Sequence, residues 1–321
     1  MQYNIRRFYV LIQVKDLSFP SATKECDIHA RLWRPDTMAR AVLQIAHGMA
    51  EHIERYDEFA RYLCQNGIAV TANDHAGHGK SIRDGRHMGY FSKQNGWTCL
   101  INDMRTLYTR VKDEYPGVPY ILLGHSMGSF LARTYASRHG SDIDAFIFSG
   151  TAGKNPALPI AGLIAKVETA LKGAMTPSKT LDRLSFGAYN KAFQPNRTDK
   201  DWLCSDEAQV DRYLADPLCG FTFTAGGFRD LYTGLGEVSH KDWAAKVPDV
   251  PILMFAGDRD PVGANAKGVR EVAQKLRQTG HRVELHIYEG GRHEMLNETN
   301  RLEVYELVRR FIDNVIENNA R

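Results

Sequence analysis

The segment PYILLGHSMGSFLARTYASRHG, Pro119 to Gly140, runs an apolar stretch straight into Gly124-His125-Ser126-Met127-Gly128 and from there straight into a helical stretch. A chain that passes from strand to helix in so few residues crowds its own backbone. Small residues are therefore needed on both sides of the serine. Such a turn commits the chain to a sheet covered by helices, because the helix that leaves the strand packs back over it. It also lifts the Ser126 hydroxyl above the sheet at a helix N-terminus. The pentapeptide G-x-S-x-G is a weak signal by itself; the strand before it and the helix after it give it weight.

The rest of the chain follows the same grammar. ARLWRP, AVLQIAHG, IAVTAND, IDAFIFSG, VPILMFAGDRD and RVELHIYEGG read as strands. Helices are expected over YDEFARYLCQNG (stopped by Gly67), 97–115, 127–138, ANAKGVREVAQKLRQTG and 301–318. Strand–helix alternation at this spacing means βαβ units and a mostly parallel sheet with helices on both faces. The N-terminal MQYNIRRFYVLIQVKDLSFP reads as an opening strand. It lacks the signal-peptide pattern, and its apolar run is far shorter than the roughly 20 residues of a membrane span.

Between Ser149 and Pro251 the alternation stops for far longer than a connecting loop in a compact domain allows. Inside this interval Ile160, Leu163, Ile164, Val167, Leu171 and Ala174 recur at helical spacing, and DEAQVDRYLADP is helical as well. The expected organisation is a core of residues 1–150 and 247–321 with an inserted, mainly helical cap over 151–246. The apolar content of the cap makes it an expected roof over part of the molecule.

Composition narrows the function. A net charge of +3 on 321 residues, with Lys and Arg scattered among Asp and Glu, excludes a nucleic-acid footprint. The five cysteines form no CxxC pair and no zinc-like spacing, so they read as reduced thiols of a cytoplasmic protein.

A serine hydroxyl is too weakly acidic to attack an ester unaided; it needs a base, and the base needs an orienting carboxylate. In strand–turn–helix folds of this kind the partners follow in the order Ser, Asp or Glu, His, on loops after later strands. AGDRDPVG offers Asp258 and Asp260 after one strand, and YEGGRHEMLNE offers His293 after the last. The developing oxyanion needs two backbone N–H donors. Met127, after the nucleophile, supplies one, and Met49, in the loop after AVLQIAHG, supplies the other.

Competing readings are weaker. GKS at Gly79–Ser81 invites a phosphate loop, but the position that must be glycine is Asp74. His75 and His78 have the spacing of a metal pair without a partner set. His47 is expected to buttress its turn and His286 to be an ordinary strand residue. No cofactor and no metal is expected. A non-catalytic interaction protein on the same fold would be expected to lack a member of the set that this chain has complete.

Five stretches, HGMAEHIERY (His47–Tyr56), DHAGHGKS (Asp74–Ser81), GHSMGS (Gly124–Ser129), GDRDPV (Gly257–Val262) and YEGGRHEMLNE (Tyr288–Glu298), resemble the monoacylglycerol lipase and lysophospholipase group of α/β-hydrolases, also described as serine aminopeptidase S33-like. The resemblance covers nearly the whole core in the correct order. It implies the α/β-hydrolase fold, Ser126 as nucleophile, His293 as base, Asp260 as orienting acid, and Met49 and Met127 as oxyanion donors. In the pattern G-x-x-D the fourth position is the acid, which favours Asp260 over Asp258. Glu51 and Arg55 match positions near the glycerol end of the substrate; as an i,i+4 pair they could equally brace the loop. The position three after His293, a histidine in some animal members, is Leu296. The implied substrate is a small amphiphilic ester, a monoacylglycerol or lysophospholipid, with transient contact between the cap and a lipid surface as a further expectation. General carboxylesterase and amidase or aminopeptidase activity are the enzymatic alternatives.

Overall fold

A computed structural model describes residues 12–319. Eight strands, β1 (Gln13–Pro20), β2 (Asp27–Arg34), β3 (Ala41–Ala46), β4 (Ile68–Asn73), β5 (Tyr120–His125), β6 (Ala145–Ser149), β7 (Ile252–Gly257) and β8 (Val283–Tyr288), form one sheet in the order β1-β2-β4-β3-β5-β6-β7-β8. β1 and β2 run antiparallel at one edge, and β3 to β8 are parallel. The expected opening strand is β1, but the apolar residues that suggested it lie largely outside the described residues.

The central strands β3 to β7 are buried at every position and mostly apolar, because both faces are covered. Along β5, Tyr120 and Leu122 enter one core while Ile121 and Leu123 enter the other; β7 divides Ile252 and Met254 from Leu253 and Phe255 in the same way. Helices α1 (Asp57–Gln65) and α9 (Arg301–Asn319) cover the second face. Helices α2 (Gly96–Glu114), α3 (Met127–His139) and α8 (Lys267–Gln278) cover the first.

Four further helices lie between β6 and β7: α4 (Leu158–Lys172), α5 (Lys179–Phe186), α6 (Glu207–Ala215) and α7 (Ala225–Val238). α7 belongs to the main core, where Phe228 and Leu231 pack with Trp97 and Phe130. Around α6 a smaller cluster forms from Phe193, Trp202, Leu203, Cys204, Val210 and Tyr213.

The apolar stripe of α4 faces largely away from the core. Ile160, Leu163 and Leu171 are 66%, 62% and 79% exposed, and Val167 is exposed too. The inward face is the flank carrying Ala161, Ala165 and Glu168. Ala161 and Ala165 let α4 approach the core closely, Leu158 and Ile164 pack partly against it, and Ile160, Leu163, Val167 and Leu171 are left pointing outward.

Candidate active site

All the residues in question sit at the carboxyl ends of parallel strands, the edge where open α/β sheets hold their ligands. Ser126 joins β5 to α3 with φ 52° and ψ −120°, a backbone conformation that L-residues rarely adopt. The flanking glycines are required sterically. A Cβ on Gly124 would lie 2.2 Å from the Gly128 carbonyl oxygen, and one on Gly128 would lie 1.9 Å from that of Ala46. The strain is held by the Ser126 N–H donating to Ser149 O at 3.0 Å and by Ser129, whose hydroxyl donates to Ser126 O at 2.6 Å.

The loop after β3 lies against this elbow. A Cβ on Gly48 would stand 3.2 Å from Ser126 Cβ. Met49 and Met127 both line the cavity beside Ser126. Met127 opens α3, so its N–H is one of the helix's unpaired N-terminal donors. The buried His47 ring fixes the loop. Its Nε2 accepts from His75 N–H at 2.9 Å, so Nδ1 carries the proton and donates to Gly48 O at 2.8 Å. His75 and His78 are buried next to it, with His78 packed among Phe91, Phe221 and Phe223.

His293, in the loop after β8, is fully buried and shares a hydrogen bond of 3.0 Å between Nδ1 and Asp260 Oδ1. Asp260 Oδ1 also accepts from Val262 N–H at 2.9 Å, which aims the carboxylate. Burial disfavours a charged imidazole, but the Asp260 carboxylate outweighs it and holds the His293 pKa above the ordinary histidine value. Asp258 is turned elsewhere, accepting from Gly290 N–H at 2.9 Å. The His293 ring lies between those of His125 and Trp202, with centroids 4.8 and 5.2 Å away. Among the described residues the Ser126 hydroxyl has no hydrogen bond to His293; the two meet in the wall of one cavity.

That cavity has a volume of about 730 Å³. Its apolar lining comes from the core side through Phe130 and from the insertion through Leu158, Ala161, Phe186, Leu231 and Leu235.

Glu51 and Arg55 form part of a buried ionic network. Glu51 Oε1 accepts from Gly48 N–H at 2.5 Å and from the Tyr56 hydroxyl at 2.8 Å, and Oε2 accepts from Arg55 at 2.5 Å. Arg55 also grips Glu294 with two bonds of 2.8 and 2.6 Å, and its guanidinium lies 4.9 Å over the Tyr213 ring. Burial works against the Glu51 carboxylate, yet Arg55 holds its pKa down at about 2. Glu51 and Glu294 line the cavity, whereas Arg55 stands behind them and is not part of its wall. Glu294 was not among the residues singled out from the sequence. Its pairing with Arg55 spans most of the chain, and the only local hint is a carboxylate directly after His293.

The serine aminopeptidase S33 family, Hydrolase_4, matches residues 37–300. The chain belongs to this family. Its relatives include a monoacylglycerol lipase of Mycolicibacterium smegmatis, 31% identical over 272 residues that cover 83% of this chain and 86% of that one. Human monoglyceride lipase is 30% identical over 274 residues, 83% of this chain and 79% of the relative. Among solved structures, a thermostable carboxyl esterase of Bacillus coagulans in complex with glycerol superposes with a TM-score of 0.89 at 32% identity, covering 94% of this chain and 99% of the esterase. This member of the family is therefore a carboxylic ester hydrolase with the α/β-hydrolase fold. No helix among the described residues is long and apolar enough to cross a membrane.

Proposed function

We propose that the enzyme hydrolyses monoacylglycerols through a Ser126–His293–Asp260 triad. The observation that supports this most is the large, mainly apolar cavity that holds Ser126 and His293 in one wall and is roofed by the insertion. A cavity of that kind suits an acyl chain, which gains about 0.8 kcal/mol for each methylene removed from water. His293 Nε2 takes the proton of the Ser126 hydroxyl as its oxygen attacks the ester carbonyl. The N–H groups of Met49 and Met127 hold the oxyanion, His293 returns the proton to the departing alcohol, and water repeats the sequence on the acyl-enzyme. Asp260 keeps the imidazole in the tautomer that leaves Nε2 free to accept.

The charge around the alcohol side favours a neutral leaving group. Two carboxylates, Glu51 and Glu294, face the cavity and share the single cation Arg55, so the network carries one net negative charge. That disfavours the phosphate of a lysophospholipid and tolerates glycerol. Glu51 and Arg55 act as a brace for Gly48 and hence for the Met49 donor. The exposed Ile160, Leu163, Val167 and Leu171 face of α4 rests on a lipid surface, while Leu158 and Ala161 of the same helix line the cavity beneath.

A panel of esters tests this reading: acetyl, octanoyl and oleoyl chains on glycerol, on glycerophosphocholine and on nitrophenol. Long-chain glycerol esters are expected to give the highest kcat/KM. A preference for acetyl esters would support a general carboxylesterase instead, and preferential cleavage of aminoacyl amides would support an aminopeptidase.

A further inference from the structure

Away from the catalytic residues, the described chain brings one set of potential metal ligands together. A donor atom of His52, one of Asp216 and the Cys219 sulfur all lie within 4.8 Å of one another. His52 directly follows Glu51 in the loop after β3, and the other two close the turn after α6. Sequence spacing hides the set, because His52 and Asp216 are 164 residues apart.

The two segments already touch. His52 Nε2 and Asp216 Oδ2 are 2.7 Å apart, and Ala50 O accepts from Gly220 N–H at 2.9 Å and from the Tyr213 hydroxyl at 3.1 Å. The turn is fixed by Cys219 N–H donating to Asp216 O at 3.0 Å and by Leu218 N–H donating to Asp216 Oδ1 at 2.8 Å. It presents the carboxylate and the thiol side by side to the imidazole. His52 is buried and Cys219 largely so, while the Asp216 side chain is 29% exposed and is the side from which an ion can enter.

We propose that His52, Asp216 and Cys219 bind a zinc ion that clamps the insertion to the loop carrying Met49. One nitrogen, one sulfur and one carboxylate oxygen are the donor types that a borderline-soft, tetrahedral divalent ion selects over magnesium or calcium, with water completing the shell. Burial pushes the Cys219 thiol pKa up, and Arg55 acts the other way, so it is the bound ion that must draw out the thiolate. With Glu51 and Glu294 on the same guanidinium the surroundings are net negative before Asp216 is counted, which favours a cation. Binding through Nε2 leaves the neutral His52 imidazole with its proton on Nδ1, and the proton of the Cys219 thiol passes to solvent.

Cobalt(II) reports on the site, because a cysteine thiolate bound to it gives a charge-transfer absorption in the near ultraviolet. Untagged, reduced, full-length protein titrated with Co²⁺ is expected to develop this band to one equivalent, and Zn²⁺ is expected to abolish it. Zn²⁺ at a hundredfold excess over its dissociation constant should raise Tm by about 4 °C. Cys219→Ser should remove the band, and His52→Ala should weaken binding on the order of tenfold or more. The double variant Cys26→Ser/Cys99→Ser, which removes the other half-buried thiols, should keep the band. Hydrolysis of a short nitrophenyl ester confirms that each variant is folded. The proposal is overturned if the wild type gives no band, if the band survives in Cys219→Ser, or if it disappears in the Cys26/Cys99 variant.

Discussion

Arg55→Met tests the reading of the ionic network as a brace. The Arg55, Glu51 and Glu294 side chains are 11%, 4% and 6% exposed, so this is not a solvent-screened surface pair worth under about 1 kcal/mol. Removing the shared cation leaves two buried carboxylates uncompensated, which costs about 3–5 kcal/mol. With an unfolding entropy near 2.1 cal/mol/K per residue, that loss lowers Tm by about 4–7 °C in a chain of 321 residues. Repulsion between the freed carboxylates also loosens Glu51, which accepts from Gly48 N–H beside Met49, the proposed oxyanion donor. Because Arg55 is behind the cavity wall, the damage reaches every substrate through the oxyanion donors. Thermal unfolding is to be measured together with kcat/KM on an oleoylglycerol and a nitrophenyl oleate, which share an acyl chain and differ in the alcohol. Equal losses on the two esters, with the fall in Tm, are expected. A Tm within a degree of wild type, or a loss confined to the glycerol ester, would refute the brace and make Arg55 a contact to the leaving group.

The other predictions concern the base, its orienting acid and the cap. His293 must be neutral to accept the serine proton, so activity should fall as pH drops through its raised pKa, with the acid limb above the ordinary histidine value of about 6.5. The stability contributed by the Asp260–His293 pair has the sign of a raised pKa: fully present below about pH 6.5 and lost as pH rises through the folded-state value. Asp260→Asn should move the acid limb down and cost on the order of 10³- to 10⁴-fold in kcat, whereas Asp258→Asn should cost less than about threefold; the reverse ranking would reassign the acid. Leu163→Ser with Leu171→Ser, at exposed positions, should change stability by less than about 1 kcal/mol. That pair should slow hydrolysis of vesicle-borne oleoylglycerol while sparing a dissolved butyryl ester; equal rates on the two would remove the lipid-surface role of α4.

The central parallel strands were legible because burial on both faces makes each a mostly apolar run. The glycines of the elbow were legible because the strand-to-helix turn has one steric solution. Helix α7 was not. Gly226, Gly227, Gly234 and Gly236 argue against a helix locally, and tertiary contact explains the first three. A Cβ on Gly234 would meet the Trp97 ring at 2.0 Å, and one on Gly227 would meet Gly89 O at 2.0 Å. The direction in which α4 faces was not legible, because periodicity locates an apolar stripe without saying what covers it. Glu294 and the His52–Asp216–Cys219 set were invisible, since partners far apart in sequence leave no local pattern. The choice of Asp260 over Asp258 came from a family pattern, and the geometry puts only Asp260 beside His293.

The most direct test of the proposed chemistry is to react the enzyme with a fluorophosphonate and locate the adduct by peptide mass spectrometry. The hydroxyl of Ser126 is the expected single site, with labelling in proportion to lost esterase activity and neither labelling nor turnover in Ser126→Ala. An adduct on another residue, or full labelling and activity in Ser126→Ala, would contradict the assignment of Ser126 as the nucleophile.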